Sequence, residues 1–167
     1  MDLHFDKVIV GADSGSSISE RAAACCRRAK QLEKAGEYRS AYEALREFWP
    51  DTAGLPRVEA LSDLERAEVL LRAGSLAGWL GSVEQTGGSQ EQGKDLITAA
   101  IEILNKAGKS DAVAEAQSDL AVCYWREGAY DEARVLLRRV IDDHRVDPRI
   151  KAVALVRVAL VEKTDGK

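Results

Sequence analysis

Residues 114–148, AEAQSDLAVCYWREGAYDEARVLLRRVIDDHRVDP, constrain the fold of this chain more than any other stretch. Two amphipathic halves flank a short turn at Glu127-Gly128-Ala129. The first half puts Leu120, Ala121 and Tyr124 on one side. The second, after Tyr130, does the same with Ala133, Leu137, Val140 and Ile141. Spacings of three and four residues mark helices with one buried stripe. A stripe this narrow has to be covered by another helix, so the stretch reads as an antiparallel helical hairpin.

The rest of the chain carries the same punctuation. Residues 1–17 are the least readable part. HFDKVIV has weak strand character, GADSGSS has linker composition, and the whole is expected to be a flexible N-terminal segment. Ser17 to Glu20 has capping-box spacing and predicts a helix from Ile18 to about residue 35, with Ala22, Cys25, Cys26, Ala29 and Leu32 inward. Gly36 ends it. A second helix is predicted over 38–49, burying Ala41, Leu45, Phe48 and Trp49, with Pro50 as the stop. An irregular connection follows, and Ser62 to Glu65 is another capping box.

From there a long helical pattern runs to about residue 86, with Leu64, Ala67, Leu70, Leu71, Leu76, Ala77, Leu80 and Val83 as its apolar positions. Gly74, Gly78 and Gly81 lie inside it. Each costs roughly 1 kcal/mol against alanine, so either a bend or the close approach of a neighbouring helix has to justify them. Gly87-Gly88 breaks the pattern, and Ser89 is expected to cap a helix running to Lys106. Ser110 is expected to cap the hairpin described first. Asp147-Pro148 then starts a last helix over about 149–163, whose IKAVALVRVALV is apolar nearly all round. Its β-branched residues leave a strand reading open.

Aligned on Gly36, Gly88, Gly128 and Gly166, the units share a small residue seven positions earlier: Ala29, Gly81, Ala121 and Ala159. The first three share another five positions later, Ala41, Gly93 and Ala133, and a branched aliphatic four beyond that, Leu45, Ile97 and Leu137. This order of leucine, small residue, aromatic, turn glycine, aromatic and alanine resembles the tetratricopeptide repeat. The third unit is similar to the family closely and the others are degenerate. Arg28 and Glu84 stand where the family prefers an apolar or aromatic residue. The turn glycines lie 52, 40 and 38 residues apart, wider than the family's repeat of about 34.

The resemblance implies an all-α, right-handed solenoid over residues 18–167, with hairpins at about 18–49, 62–107 and 111–144 plus the final helix. A non-repeat helical bundle is the alternative. The chain is also similar to bacterial multi-repeat proteins, and the unpaired final helix suggests a piece of a longer array. A cap that folds back, or pairing of two chains, would also cover its apolar face. Self-association as a homodimer is expected through Ile150, Val153, Leu155, Val156 and Leu160.

Composition removes several function classes. The net charge of −4 argues against a general nucleic-acid surface. The longest apolar run is far short of a membrane span, and no export signal is evident. Cys25, Cys26 and Cys123 form no CxxC pair, so they read as packed thiols in a reducing cytoplasm. His4 and His144 lie far apart, which leaves a metal site or a Cys–His nucleophile unsupported. Gly87-Gly88-Ser89 lacks the lysine of a phosphate-binding loop. No cofactor, metal or catalytic residue is expected.

What remains is binding. The resemblance implies that first-helix side chains line a groove for a protein or peptide: Lys30, Glu33 and Lys34 in the first unit, Ser82, Gln85 and Thr86 in the second, and Ser118, Val122, Trp125 and Arg126 in the third. Trp125 either faces that groove beside Arg126 or packs on a neighbouring hairpin. The family's carboxylate clamp needs a set of lysines and asparagines that Lys30 alone does not make. A sensory segment of a larger regulator is a further reading of the same surface.

Overall fold

The computed structural model describes residues 16–84 and 87–166, with only the backbone for 82–84. The described residues form seven helices and no strand: α1 Ile18–Lys34, α2 Tyr38–Leu45, α3 Asp63–Glu84, α4 Ser89–Lys106, α5 Ser110–Arg126, α6 Tyr130–Asp142 and α7 Pro148–Asp165. The expected flexible segment falls, but for Ser16 and Ser17, outside the described residues.

Local chemistry sets most of the boundaries. Ser17 completes its capping box with Glu20 at the start of α1. At α7, Asp147 is the cap, accepts from the Arg149 amide and precedes Pro148 in the first turn. Gly36, Gly88, Gly108, Gly128 and Gly166 all take positive φ at helix ends, the left-handed conformation that glycine adopts without steric cost. Two expected caps shift by one position. Ser89 and Ser110 are the first helical residues, and Gly88 and Lys109 hold the cap positions without a side-chain bond.

α2 is shorter than its pattern predicts. The helix ends at Leu45, and the Phe48 and Trp49 amides both donate back to the Leu45 carbonyl in a tighter turn. Side-chain partners in the loop that follows explain this. Trp49 is fully buried, its indole donates to the Gly54 carbonyl at 2.9 Å, and Tyr42 packs edge-on to it while donating to the Pro50 carbonyl. Gln92 of α4 donates to the same Gly54 carbonyl at 3.0 Å. The extra residues between the first two hairpins are thereby folded onto the core.

The helices pair as α1–α2, α3–α4 and α5–α6, and the first helices also touch in series, α1 to α3, α3 to α5 and α5 to α7. Each second helix wedges between two first helices, and the backbones of α2, α4 and α6 do not come close to one another. The core is continuous because every hairpin shares its apolar face with the next.

Counting back from the turn glycines separates the faces of the first helices. Fourteen, ten and seven residues before them lie Ala22, Cys26 and Ala29 in α1, Gly74, Gly78 and Gly81 in α3, and Ala114, Ser118 and Ala121 in α5; all nine are buried. This is the face toward the hairpin's own second helix. The α3 glycines are explained by close approach: a Cβ on Gly74 would lie 2.8 Å from the Gly93 carbonyl oxygen, and one on Gly93 would lie 2.8 Å from that of Gly74.

Twelve, eight and five residues before the glycine is the face toward the preceding hairpin. It buries Ala116, Leu120 and Cys123 in α5, and Ala154 and Val161 in α7 with Val158 half-buried. In α1 the same positions are Ala24, Arg28 and Gln31, all exposed. Arg28 departs from the family pattern because that side of α1 faces water. Leu64, expected inward, is 43% exposed at the start of α3.

Candidate partner-binding groove

The third face of α1, α3, α5 and α7 lines an open cavity of about 780 Å³. The stripe recurs thirteen, nine and six residues before each glycine. It carries Lys30 on α1, Ser75 and Trp79 on α3, Glu115, Asp119 and Val122 on α5, and Val153, Arg157 and Leu160 on α7.

The floor is a charge ladder across all four helices. Buried Arg72 donates to Glu33 at 2.6 Å and to Asp119 at 3.4 Å. Asp119 also accepts from the Ser75 hydroxyl at 3.3 Å and pairs with Arg157 at 2.8 Å, and Arg157 donates to the Ser118 hydroxyl at 2.7 Å. Lys30 pairs with Glu115 at 2.7 Å. Burial pushes the Glu33 carboxyl up to about 7 against the pull of Arg72, with Asp119 adding to the rise.

One wall is a three-layer stack. The Tyr38 ring lies parallel to Trp79 with centroids 4.2 Å apart, and the Arg126 guanidinium sits 3.3 Å over the Trp79 ring. A guanidinium that close leaves no room for a second ring on its side, so Tyr38 and Arg126 take opposite faces of the indole. Desolvation pulls Arg126 down to about 10, and its buried Nη2 has no hydrogen-bond partner. It is a partly dehydrated cation that no carboxylate pairs with among the described residues. The far wall is apolar, made by Val122, Trp125, Ile150, Val153 and Leu160. Trp125 is half-buried. It packs among the α5–α7 core residues with its indole donating to Thr164 at 3.1 Å, and its ring also lines the groove.

The sequence-derived groove residues divide on this surface. Lys30, Lys34, Val122, Trp125 and Arg126 line it together, though Lys30 is already paired and Lys34 sits exposed at the rim. Ser118 lines it too, but it is only 2% exposed and its hydroxyl is taken by Arg157. The Ser82 side chain, Gln85 and Thr86 lie outside the described residues. The expected self-association set also splits. Ile150, Val153 and Leu160 face the groove, whereas Leu155 and Val156, 55% and 63% exposed, point away from it.

Tyr38, Arg72, Trp79, Asp119 and Arg157 were not anticipated. Two signals for them stand in the sequence. Arg72 is a lone charge inside an apolar and glycine-rich run, and Trp79, Asp119 and Arg157 share one offset from their turn glycines.

Residues 96–155, from within α4 to within α7, match a family model described as tetratricopeptide repeat. That part of the chain belongs to the tetratricopeptide-repeat family. The matched stretch contains the whole α5–α6 hairpin, whose sequence follows the repeat pattern most closely. Neither a curated protein nor a solved structure shows significant similarity to the chain. Tetratricopeptide repeats generally mediate protein–protein interaction, and α1, α3, α5 and α7 of this repeat array present their shared face as the groove.

Proposed function

We propose that the groove holds a segment of another polypeptide, and that the chain works by binding without making or breaking bonds. The observation that carries this reading is the unpaired Arg126 guanidinium laid on Trp79 beside an apolar wall. A partly desolvated cation next to a half-buried tryptophan is a surface that gains most from a partner. It suits a segment that brings a carboxylate to Arg126 and an apolar side chain to Val122, Trp125 and Leu160. The ladder beneath supports the reading, since it locks the four helices and leaves little of the groove to be ordered on binding.

A nucleophilic role is poorly supported by the thiols. Burial pushes Cys26 up to about 12 and Cys123 up to about 11, so neither forms a thiolate readily. Three free cysteines suit a reducing compartment, and the reading places the protein in the cytoplasm.

Selection of a displayed random-peptide library on the immobilised protein tests the reading. Enriched peptides should carry an acidic residue next to an apolar one. Trp125→Ala and Arg126→Ala should each weaken their binding by about tenfold or more, while Leu155→Asp leaves it unchanged. Failure to enrich any peptide, or peptides that bind both groove variants as well as the parent, would refute it.

A further inference from the structure

The outward face of α7 is laid out to meet a copy of itself. The positions that every complete hairpin buries against its own second helix are, in α7, Ala152, Val156 and Ala159, and all three are exposed. Leu155 lies between them, 55% exposed. No helix among the described residues packs there. The geometry of the other hairpins specifies what fits, namely an antiparallel helix presenting small and branched side chains.

The face itself has that composition, and it reads the same in both directions. Arg149, Ala152, Leu155, Val156, Ala159 and Glu162 run as charge, small, large, large, small, charge at spacings of three, three, one, three and three. A two-fold axis between Leu155 and Val156 sets each Ala152 opposite Ala159 of the partner subunit. Self-complementarity of this kind is what a two-fold interface requires. A face meant for an unrelated helix has no need of it.

Charge selects the same orientation. At the C-terminal end of α7, Arg134 of α6 gathers the carboxylates of Asp131, Glu162 and Asp165, and Lys163 stands beside them, so three acids against two bases leave that end one excess negative charge. The N-terminal end carries Arg149 and Lys151 against the capping Asp147, which leaves one excess positive charge. Antiparallel pairing brings each basic end to an acidic one, whereas parallel pairing sets like on like.

We propose that two copies of this chain associate through α7, antiparallel about that axis. Four apolar residues a side is well below the roughly 20–30 residues a side of a standard interface, so the dimer is weak and concentration-dependent. Its apolar centre is separate from the groove, because Ala152, Leu155, Val156 and Ala159 do not line the cavity, while Arg149 at its end does.

Sedimentation equilibrium of the full chain, from about 10 µM to about 1 mM, tests the proposal. The mass is expected to rise from 18.2 kDa toward twice that value. Val156→Asp should stay monomeric over the range, and Arg149→Glu should dimerise only at about tenfold higher concentration. Both sites are exposed, so both variants should keep the parent's circular dichroism and melting temperature. A monomeric parent at every concentration overturns the proposal. So does a dimer that Val156→Asp leaves intact, because the contact would then lie elsewhere.

Discussion

Replacing Gly74 with alanine sets two effects of opposite sign against each other. In an isolated helix the change favours folding by about 1 kcal/mol, because alanine loses less backbone freedom. In the structure, the new Cβ would stand 2.7 Å from Ile97 Cγ1, 2.8 Å from the Gly93 carbonyl oxygen and 3.1 Å from the Ile97 amide nitrogen. The Ile97 side chain can turn, but the two backbone atoms cannot, so α3 and α4 have to separate. Ile97, Leu71 and Leu76 are 0–2% exposed and lose contacts as they part. Overpacking of this sort costs typically 1–3 kcal/mol, and the upper end applies where backbone must move. The net expectation is a loss of about 2 kcal/mol, or about 4–8 °C in melting temperature for a chain of this size. Gly87→Ala is the control: a Cβ there meets nothing within 4 Å, and its φ is not in the left-handed range. Thermal and urea unfolding by circular dichroism should rank Gly74→Ala well below parent and control. A Gly74 variant as stable as the Gly87 variant would mean that the glycines do not set the α3–α4 distance.

Two further predictions concern the ladder. Asp119→Asn strips Arg72 and Arg157 of a shared carboxylate while leaving Glu33 on Arg72. Since removing one partner of a buried pair strands the other charge, a loss of about 2 kcal/mol is expected in urea unfolding, and no change would refute a structural role. Glu33 supplies the pH dependence. Its folded pKa, about 7, lies above the ordinary 4.5 because burial outweighs Arg72. The folded protein therefore binds a proton that the unfolded chain releases. That stabilisation is whole below pH 4.5 and is lost as pH rises through about 7. Glu33→Gln removes the titration, so the variant should gain on the parent between pH 5 and pH 8 in urea midpoints; a constant difference would show that Glu33 does not titrate there.

Features written in a few adjacent residues were legible in the sequence. Ser17 with Glu20, Asp147 with Pro148 and the turn glycines each act on backbone within a turn of themselves, and they placed most helix ends. α2 was misjudged in length because Leu45 is followed by residues that remain helix-compatible. What ends it is the burial of Trp49 against Gly54 and Tyr42, contacts that only the folded chain makes. The glycines of α3 left a bend or a close approach open, since the partner Gly93 lies on another helix. The groove behaved alike. Register alone found Val122, Trp125 and Arg126, but the stack needs Tyr38, Trp79 and Arg126 from three helices. Ser118 stands ten residues before Gly128, on the buried face toward α6 and not on the groove stripe, and Arg157 takes its hydroxyl from the next first helix.

α7 shows why an all-round apolar helix was hard to interpret from periodicity. A first helix in a stacked array has three jobs: covering the preceding hairpin, lining the groove and packing on its own second helix. Ala154, Val158 and Val161 do the first, Ile150, Val153 and Leu160 the second, and Ala152, Val156 and Ala159 are in place for the third. Three apolar stripes on one cylinder leave no polar side, so its apolar moment nearly cancels. α1 differs because its preceding-hairpin face carries Arg28 and Gln31. α1 thus has a polar outer face where α7 does not. The two exposed flanks of the array therefore differ in kind. The α1 flank carries Arg28 and Gln31, and the α7 flank carries Ala152, Val156 and Ala159 at the positions where each complete hairpin holds a helix. That asymmetry confines the proposed pairing to one side and leaves the groove between the flanks open to a different partner.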